Sequence, residues 1–214
     1  MCPTPFSCMD ISLGADLMDY ERLAKQIEFI VEIDKLKRVF RQNVVIGTDQ
    51  QENDAEHSWH LAVMAILLSE YSLTTELDIL RVLKMLLIHD LVEIHAGDTF
   101  CYDDKGNKDK VEREIKAAKK LFSILPSDQA QEIMDLWHEF ESMETPEAGF
   151  AASLDRLQPL LLNYHTNGHT WKKPGITSEM VLQRNKVLEG NVPLLWEYVK
   201  ELINDSIHKG YLKT

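Results

Sequence analysis

The sequence predicts an all-α fold in a single domain, and three observations lead there. Apolar residues recur at helical spacing through almost the whole chain, turn signals fall between the periodic blocks rather than inside alternating ones, and no Gly/Pro/Ser-rich linker divides the 214 residues. A hydrophobic fraction of 44% is enough for one sizeable core. The domain is expected over residues 16–208, between an N-terminal tail at 1–15 and a C-terminal tail at 209–214. No strand is predicted.

The elements follow in order. A first helical region is predicted from about Asp16 to Phe40, with Leu17, Leu23, Ile27, Ile30 and Val31 as its apolar stripe and a break near Asp34. The next opens after Asn53, whose side chain can cap while Glu56 stands three residues on in the capping-box position, and it continues to about Tyr71. Its Trp59, Leu61, Ala62, Val63, Ile66 and Leu67 are apolar over more of the circumference than one core face requires, which predicts a homodimer paired through that surface. Thr75 is expected to open a third helix and Gly97 to end it. After the polar loop CYDDKGNKD, a helix starts at Asn107 or Asp109 and stops before Pro126, and another spans about Ser127 to Ser142. Thr145-Pro146-Glu147 reads as a cap with proline at the first helical position, opening a helix to about Asn167. NGHTWKKPGIT is the longest loop, and two helices follow from Ser178 and Asn191.

Charge and cysteine usage remove whole classes of function. Thirty-five acidic against 23 basic side chains leave a net charge of -12, so no nucleic-acid partner is expected, because neutralising phosphates needs a basic face. A small anionic substrate stays open if positive charge or a metal is concentrated locally. Cys2, Cys8 and Cys101 are odd in number and have no framework spacing, which reads as reduced thiols in a cytoplasmic compartment. The opening residues carry no basic start or long apolar block, and the longest apolar run, Leu61 to Leu68, is too short for a bilayer, so neither a signal peptide nor a membrane partner is expected.

LLIHDLVEIHAGD, Leu86 to Asp98, breaks the pattern: five ionisable side chains follow an apolar run. An unsatisfied buried polar group costs roughly 2 to 7 kcal/mol, so such a run needs partners, a metal or a cleft. On a helix His89 and Glu93 share a face, and Asp90 lies about 100 degrees round from His89, so His89 and Asp90 can both bend toward one ion. A metal needs further ligands. His57, in the first turn of its helix, is one candidate. Asp155, on the otherwise apolar helix AASLDRLQPLLLNY, is another, with a cap role or a pairing with Arg156 of a neighbouring chain as its alternatives. Two imidazoles and two carboxylates suit a divalent ion such as Mn, Co, Fe, Zn or Mg and leave positions open for water and a phosphate oxygen. Glu93 is then placed to orient or deprotonate that water or to protonate a leaving oxygen, and Asp98, past Gly97, to accept from a sugar hydroxyl. His60 and His138 read as ordinary helical histidines.

ENDAEHSWHLAVMA, the His89-Asp90 pair and SLDRLQPLLLNY, in that order, resemble the HD-domain metal-dependent phosphohydrolases, most closely the branch that includes 5'-deoxynucleotidases. The likeness covers about Lys25 to Asn185. It implies a single-domain orthogonal helical bundle of the HD-domain type, a divalent metal on His57, His89, Asp90 and Asp155, and catalytic acids at Glu93 and Asp98. It also implies a phosphate-holding arginine, for which Arg41 is the best match beside Lys37 and Arg38. The implied activity is hydrolysis of nucleoside or deoxynucleoside 5'-monophosphates through in-line attack by a water that the metal activates. Two positions depart from the branch: Gln42 stands where a tryptophan tied to deoxyribose preference is expected, and His95 where a carboxylate is.

Two other readings exist. His95 and His138 formally complete the order found in two-metal HD phosphodiesterases, although a residue five along an ending helix does not return easily to the same ion. A non-catalytic nucleotide-binding HD domain is the other. Pro159, four residues after Asp155, cannot donate to the Asp155 carbonyl, so the helix is expected either to bend at the ligand and aim it inward or to end there with Asp155 as a surface acid.

Overall fold

The longest helix, α7 (Pro146–His165), is buried without interruption from Ala148 to Asp155 and again at Leu157, Gln158, Leu160, Leu162 and Asn163, and the other elements are arranged around it. The computed structural model describes residues 17–103 and 105–214, so the tail expected at 1–15, with Cys2 and Cys8, lies outside the described residues, as does the side chain of Leu17.

Small residues let α7 occupy the centre. Ala148, Gly149, Ala151, Ala152 and Ser153 give it a narrow first half, and a Cβ at Gly149 would collide with the Asn191 side chain. Against it pack α2 (Asp54–Leu68) and α3 (Ile79–Ile88), and Leu61, Ala65, Val82, Met85, Leu86, Phe150 and Leu154 form the dry centre between the three. Asn53 caps α2 with the expected capping box: its Oδ1 accepts from Glu56 N at 3.0 Å, and Glu56 Oε2 accepts from Asn53 N at 3.1 Å. Helices α5 (Lys110–Phe122) and α6 (Ser127–Ser142) cover α3 and the segment after it, while α8 (Ser178–Asn185), α9 (Val187–Asn191) and α10 (Pro193–His208) close the far side of α7.

The fold is helical as predicted, with four local differences. Phe40–Val44 (β1) and Gln51–Asn53 (β2) form a small antiparallel hairpin, with Phe40 opposite Asn53 and Val44 opposite Gln51. Neither strand alternates polar with apolar, so period-2 reading cannot see them; Gly47, at φ 81°, makes the turn. The first helix, α1 (Leu17–Ile33), stops at a 3-10 turn over Asp34–Arg38, close to the expected break. Its predicted stripe is inverted: Phe29 is buried, whereas Leu23, Ile27, Ile30 and Val31 are exposed. Polar contacts of Arg22 with Asp128 and of Gln26 with Gln129 hold α1 to α6 instead.

The third helix begins at Ile79, not Thr75, because Asp78 Oδ1 caps Arg81 N at 3.0 Å. It ends at Ile88. His89–Val92 is a 3-10 turn, a short helix α4 (Glu93–Ala96) follows, and Gly97, at φ 77°, stops the run as expected. Finally, the residues expected as a C-terminal tail fold onto the body: Leu212 is buried, and Ser178 N donates to Lys213 O at 2.7 Å.

Candidate metal centre and cleft

The first turn of α2, the 3-10 turn after α3 and the middle of α7 meet at one point. His57, His89 and Asp90 each offer a ligand atom within 4.8 Å of the others. Asp155 joins them: its Oδ1 lies 3.0 Å from His57 Nε2 and 3.7 Å from His89 Nε2. Asp90 Oδ2 is 3.1 Å from His89 Nε2 and 3.8 Å from His57 Nε2. The four sequence candidates therefore converge.

The hydrogen bonds behind the imidazoles determine what they present. Gln158 Nε2 donates to Glu52 Oε1 at 2.5 Å, which turns Gln158 Oε1 toward His57 Nδ1 at 3.0 Å. His89 Nδ1 donates to Leu86 O at 2.9 Å. Both Nδ1 atoms are thus used as donors, and both Nε2 lone pairs point at carboxylate oxygens. His89 Nε2 is buried without a hydrogen-bond partner. Lone pairs aimed at carboxylates repel unless a cation lies between them, and this donor set of two nitrogens and two oxygens fits a divalent ion.

The electrostatics agree. Burial and the Arg41 charge lower the His57 pKa to about 4, so it is a neutral imidazole. Burial would also lower His89, yet Asp90 and Asp155 outweigh it and raise it to about 10, so its Nε2 takes up a proton wherever no metal ion uses the lone pair: the pocket demands a positive charge. Asp90 stays ionised despite burial, beside His89 and Arg41. Arg156 pairs with Asp155 within the same chain.

An acidic layer lies behind the ligands. Arg41, on β1, donates from Nη1 to Asp90 Oδ2 at 2.8 Å and to Asp54 Oδ1 at 3.2 Å. Asp54 Oδ2 and Glu93 Oε2 are buried without hydrogen-bond partners, and burial and then Asp90 raise Asp54 to about 7 and push Glu93 well up. Both carboxyls thus hold a proton more readily than a carboxyl in water. Asp98 lines the adjoining cleft with Arg41, Tyr102, Arg156 and Arg184.

The HD domain family model matches residues 33–196. The chain belongs to the HD-domain family. A 5'-deoxynucleotidase HDDC2 of Bos taurus is 32% identical over 136 residues, 63% of this chain and 64% of that protein; the chain thus spans less than two thirds of that relative's length. A Danio rerio protein of the same name is 30% identical over 154 residues, 72% of this chain and 74% of its own. A solved structure from Magnetospirillum magnetotacticum MS-1, described as a predicted metal-dependent phosphohydrolase, is 48% identical, covers 92% of this chain and 98% of its own, and superposes with a TM-score of 0.85.

Within this HD domain Glu93 and Asp98 reach the centre and the cleft, as does Arg41, while two histidines do not. His95 lies 3.6 Å from Glu32, and His138 is exposed and lies against the Trp137 ring. Nothing in their placement favours a two-metal centre. Sequence reasoning missed Glu52, Asp54 and Gln158. The available signal was spacing: Gln158 follows Asp155 by three on an apolar helix, and Asp54 precedes His57 by three. Helix α7 runs through Pro159 to His165 with Asp155 buried, so the reading of Asp155 as a surface acid at a helix end fails.

Proposed function

We propose that this HD domain is a divalent-metal-dependent phosphomonoesterase acting on nucleoside or deoxynucleoside 5'-monophosphates. The observation that carries the reading is the convergence of His57 Nε2 and His89 Nε2 on the Asp90 and Asp155 carboxylates, beside the buried carboxyls of Asp54 and Glu93. His57, His89, Asp90 and Asp155 would hold the ion, one of Mn, Co, Fe, Zn or Mg, which when bound supplies Lewis acidity toward water and phosphoryl oxygens.

The chain's own groups account for the protons. As water attacks phosphorus and the bond to the 5'-oxygen breaks, one carboxyl of the Glu93–Asp54 pair takes the proton that water loses, and the other gives one to the departing oxygen. Arg41 holds a phosphoryl oxygen, and Asp98 accepts from a sugar hydroxyl. The names of the bovine and zebrafish relatives support the nucleotide substrate class. Gln42 puts an amide rather than an aromatic ring next to Arg41; its oxygen is held by Lys173, and both sugars are included in the reading.

Phosphate release from a panel of nucleotides, with and without added Mn or Co, tests this. Monophosphates should be hydrolysed, and bis(p-nitrophenyl) phosphate and cyclic dinucleotides should be poor substrates. Faster diester turnover would overturn the assignment.

The reading extends to a cytoplasmic homodimer. Trp59, Ile66 and Leu67 of α2, with Leu23, Ile27 and Val31 of α1, are exposed apolar side chains, which supports pairing of two copies. No helix of the described residues is long and apolar enough to cross a membrane. Light scattering at micromolar concentration should give twice the 24.7 kDa chain mass.

A further inference from the structure

The cleft contains an arginine that no acid among the described residues answers. Arg184 projects from α8, which buried Val181 and Asn185 anchor against the body. It faces Arg156 across a recess edged by Cys101 and Tyr102. The other arginines there are answered by acids: Arg41 by Asp54 and Asp90, and Arg156 by Asp155. Arg184 has no hydrogen bond or ion pair among the described residues, and its largest charged influence is the like charge of Arg156. The side chain stays exposed to solvent at the mouth of the recess, where crowding by the walls and that repulsion together lower its pKa.

A chain with a net charge of -12 has carboxylates to spare, yet it leaves this guanidinium beside another one. Two like charges held together on rigid helices are relieved by an anion that bridges them, and a guanidinium fork matches phosphate oxygens. Arg156 bonds Asp155, which places the pair next to the metal centre. We propose that Arg184, with Arg156, forms a phosphate-gripping wall of the cleft opposite Arg41 and holds phosphoryl oxygens that face away from the metal. This rests on the phosphomonoesterase reading for its substrate, though not for its anion.

The test is calorimetric titration of the metal-loaded protein with inorganic phosphate, alongside steady-state kinetics. Arg184→Ala should weaken phosphate binding about tenfold or more and raise KM with a smaller effect on kcat, while metal content stays the same. Arg184→Lys should recover part of the affinity, since it restores charge without the fork. Equal phosphate affinity in wild type and Arg184→Ala would overturn the inference. So would a loss seen with a nucleoside diphosphate but not with inorganic phosphate, which would move Arg184 to a second phosphate. If wild type hydrolyses no phosphomonoester but binds phosphate in an Arg184-dependent way, the proposed function fails and the phosphate wall stands.

Discussion

Nδ1 of His57 donates to Oε1 of Gln158 over 3.0 Å, and this bond leaves Nε2 as the nitrogen that faces the other ligands. Gln158→Leu keeps the volume and removes the acceptor. Metal affinity should fall about 10- to 100-fold, measured by competition with a chelator, while the helical circular dichroism is unchanged.

Metal content gives the most direct check on the four ligands. The purified protein should carry about one divalent ion per chain by elemental analysis, and His89→Ala should lose it. His95→Ala should keep it, because His95 pairs with Glu32.

Arg41 is pressed between Asp54 and Asp90. Arg41→Ala should raise KM by removing a phosphate partner, and should also lower the stability of the metal-free protein by about 3–5 kcal/mol, because it leaves buried carboxylates unpaired. An effect on kcat alone would place the arginine in the transition state.

Stability should depend on pH through Glu52. Burial raises its pKa from 4.5 to about 7 in the folded chain. For a raised acid, the stabilising contribution is fully present below 4.5 and is lost as pH rises through about 7. Asp54 acts in the same direction, and His57, whose pKa is lowered, acts in the opposite one. The difference between wild type and Glu52→Gln isolates the contribution: the metal-free variant should lose less thermal stability than wild type between pH 5 and about 8.

Pro159→Ala restores a donor inside α7. The metal-free protein should be equally or more stable, by up to about 3 kcal/mol, while metal affinity and turnover fall if the proline aims Asp155. Unaltered affinity and turnover would show that it has no part in aiming the ligand.

Three of the four candidate ligands were legible because each is an ionisable residue set against an apolar helical pattern, and such residues are rarely tolerated without a partner. His89, Asp90 and Asp155 stand out in this way, whereas His57 was singled out by its place in the first turn of its helix. Asp54 and Glu52 did not stand out, because they sit in a polar stretch where acids are unremarkable until Arg41 is seen across from them. The hairpin carrying Arg41 was invisible for a related reason: its pairing, rather than any periodicity, makes it a sheet. The stripe of α1 was misread because apolar periodicity marks a face that wants cover, without saying whether the same chain supplies it.

Thr177 pairs with Lys213 in a parallel bridge, and a Cβ at Gly168 would strike the Tyr211 carbonyl. The loop that contributes Trp171 to the cleft is thereby packed at one end and hydrogen-bonded at the other by residues 211–213. On a ribosome these emerge after α2, α3 and α7, so the bundle can collapse around α7 before this wall of the cleft is set. During synthesis the metal centre should mature ahead of the surface that receives the substrate.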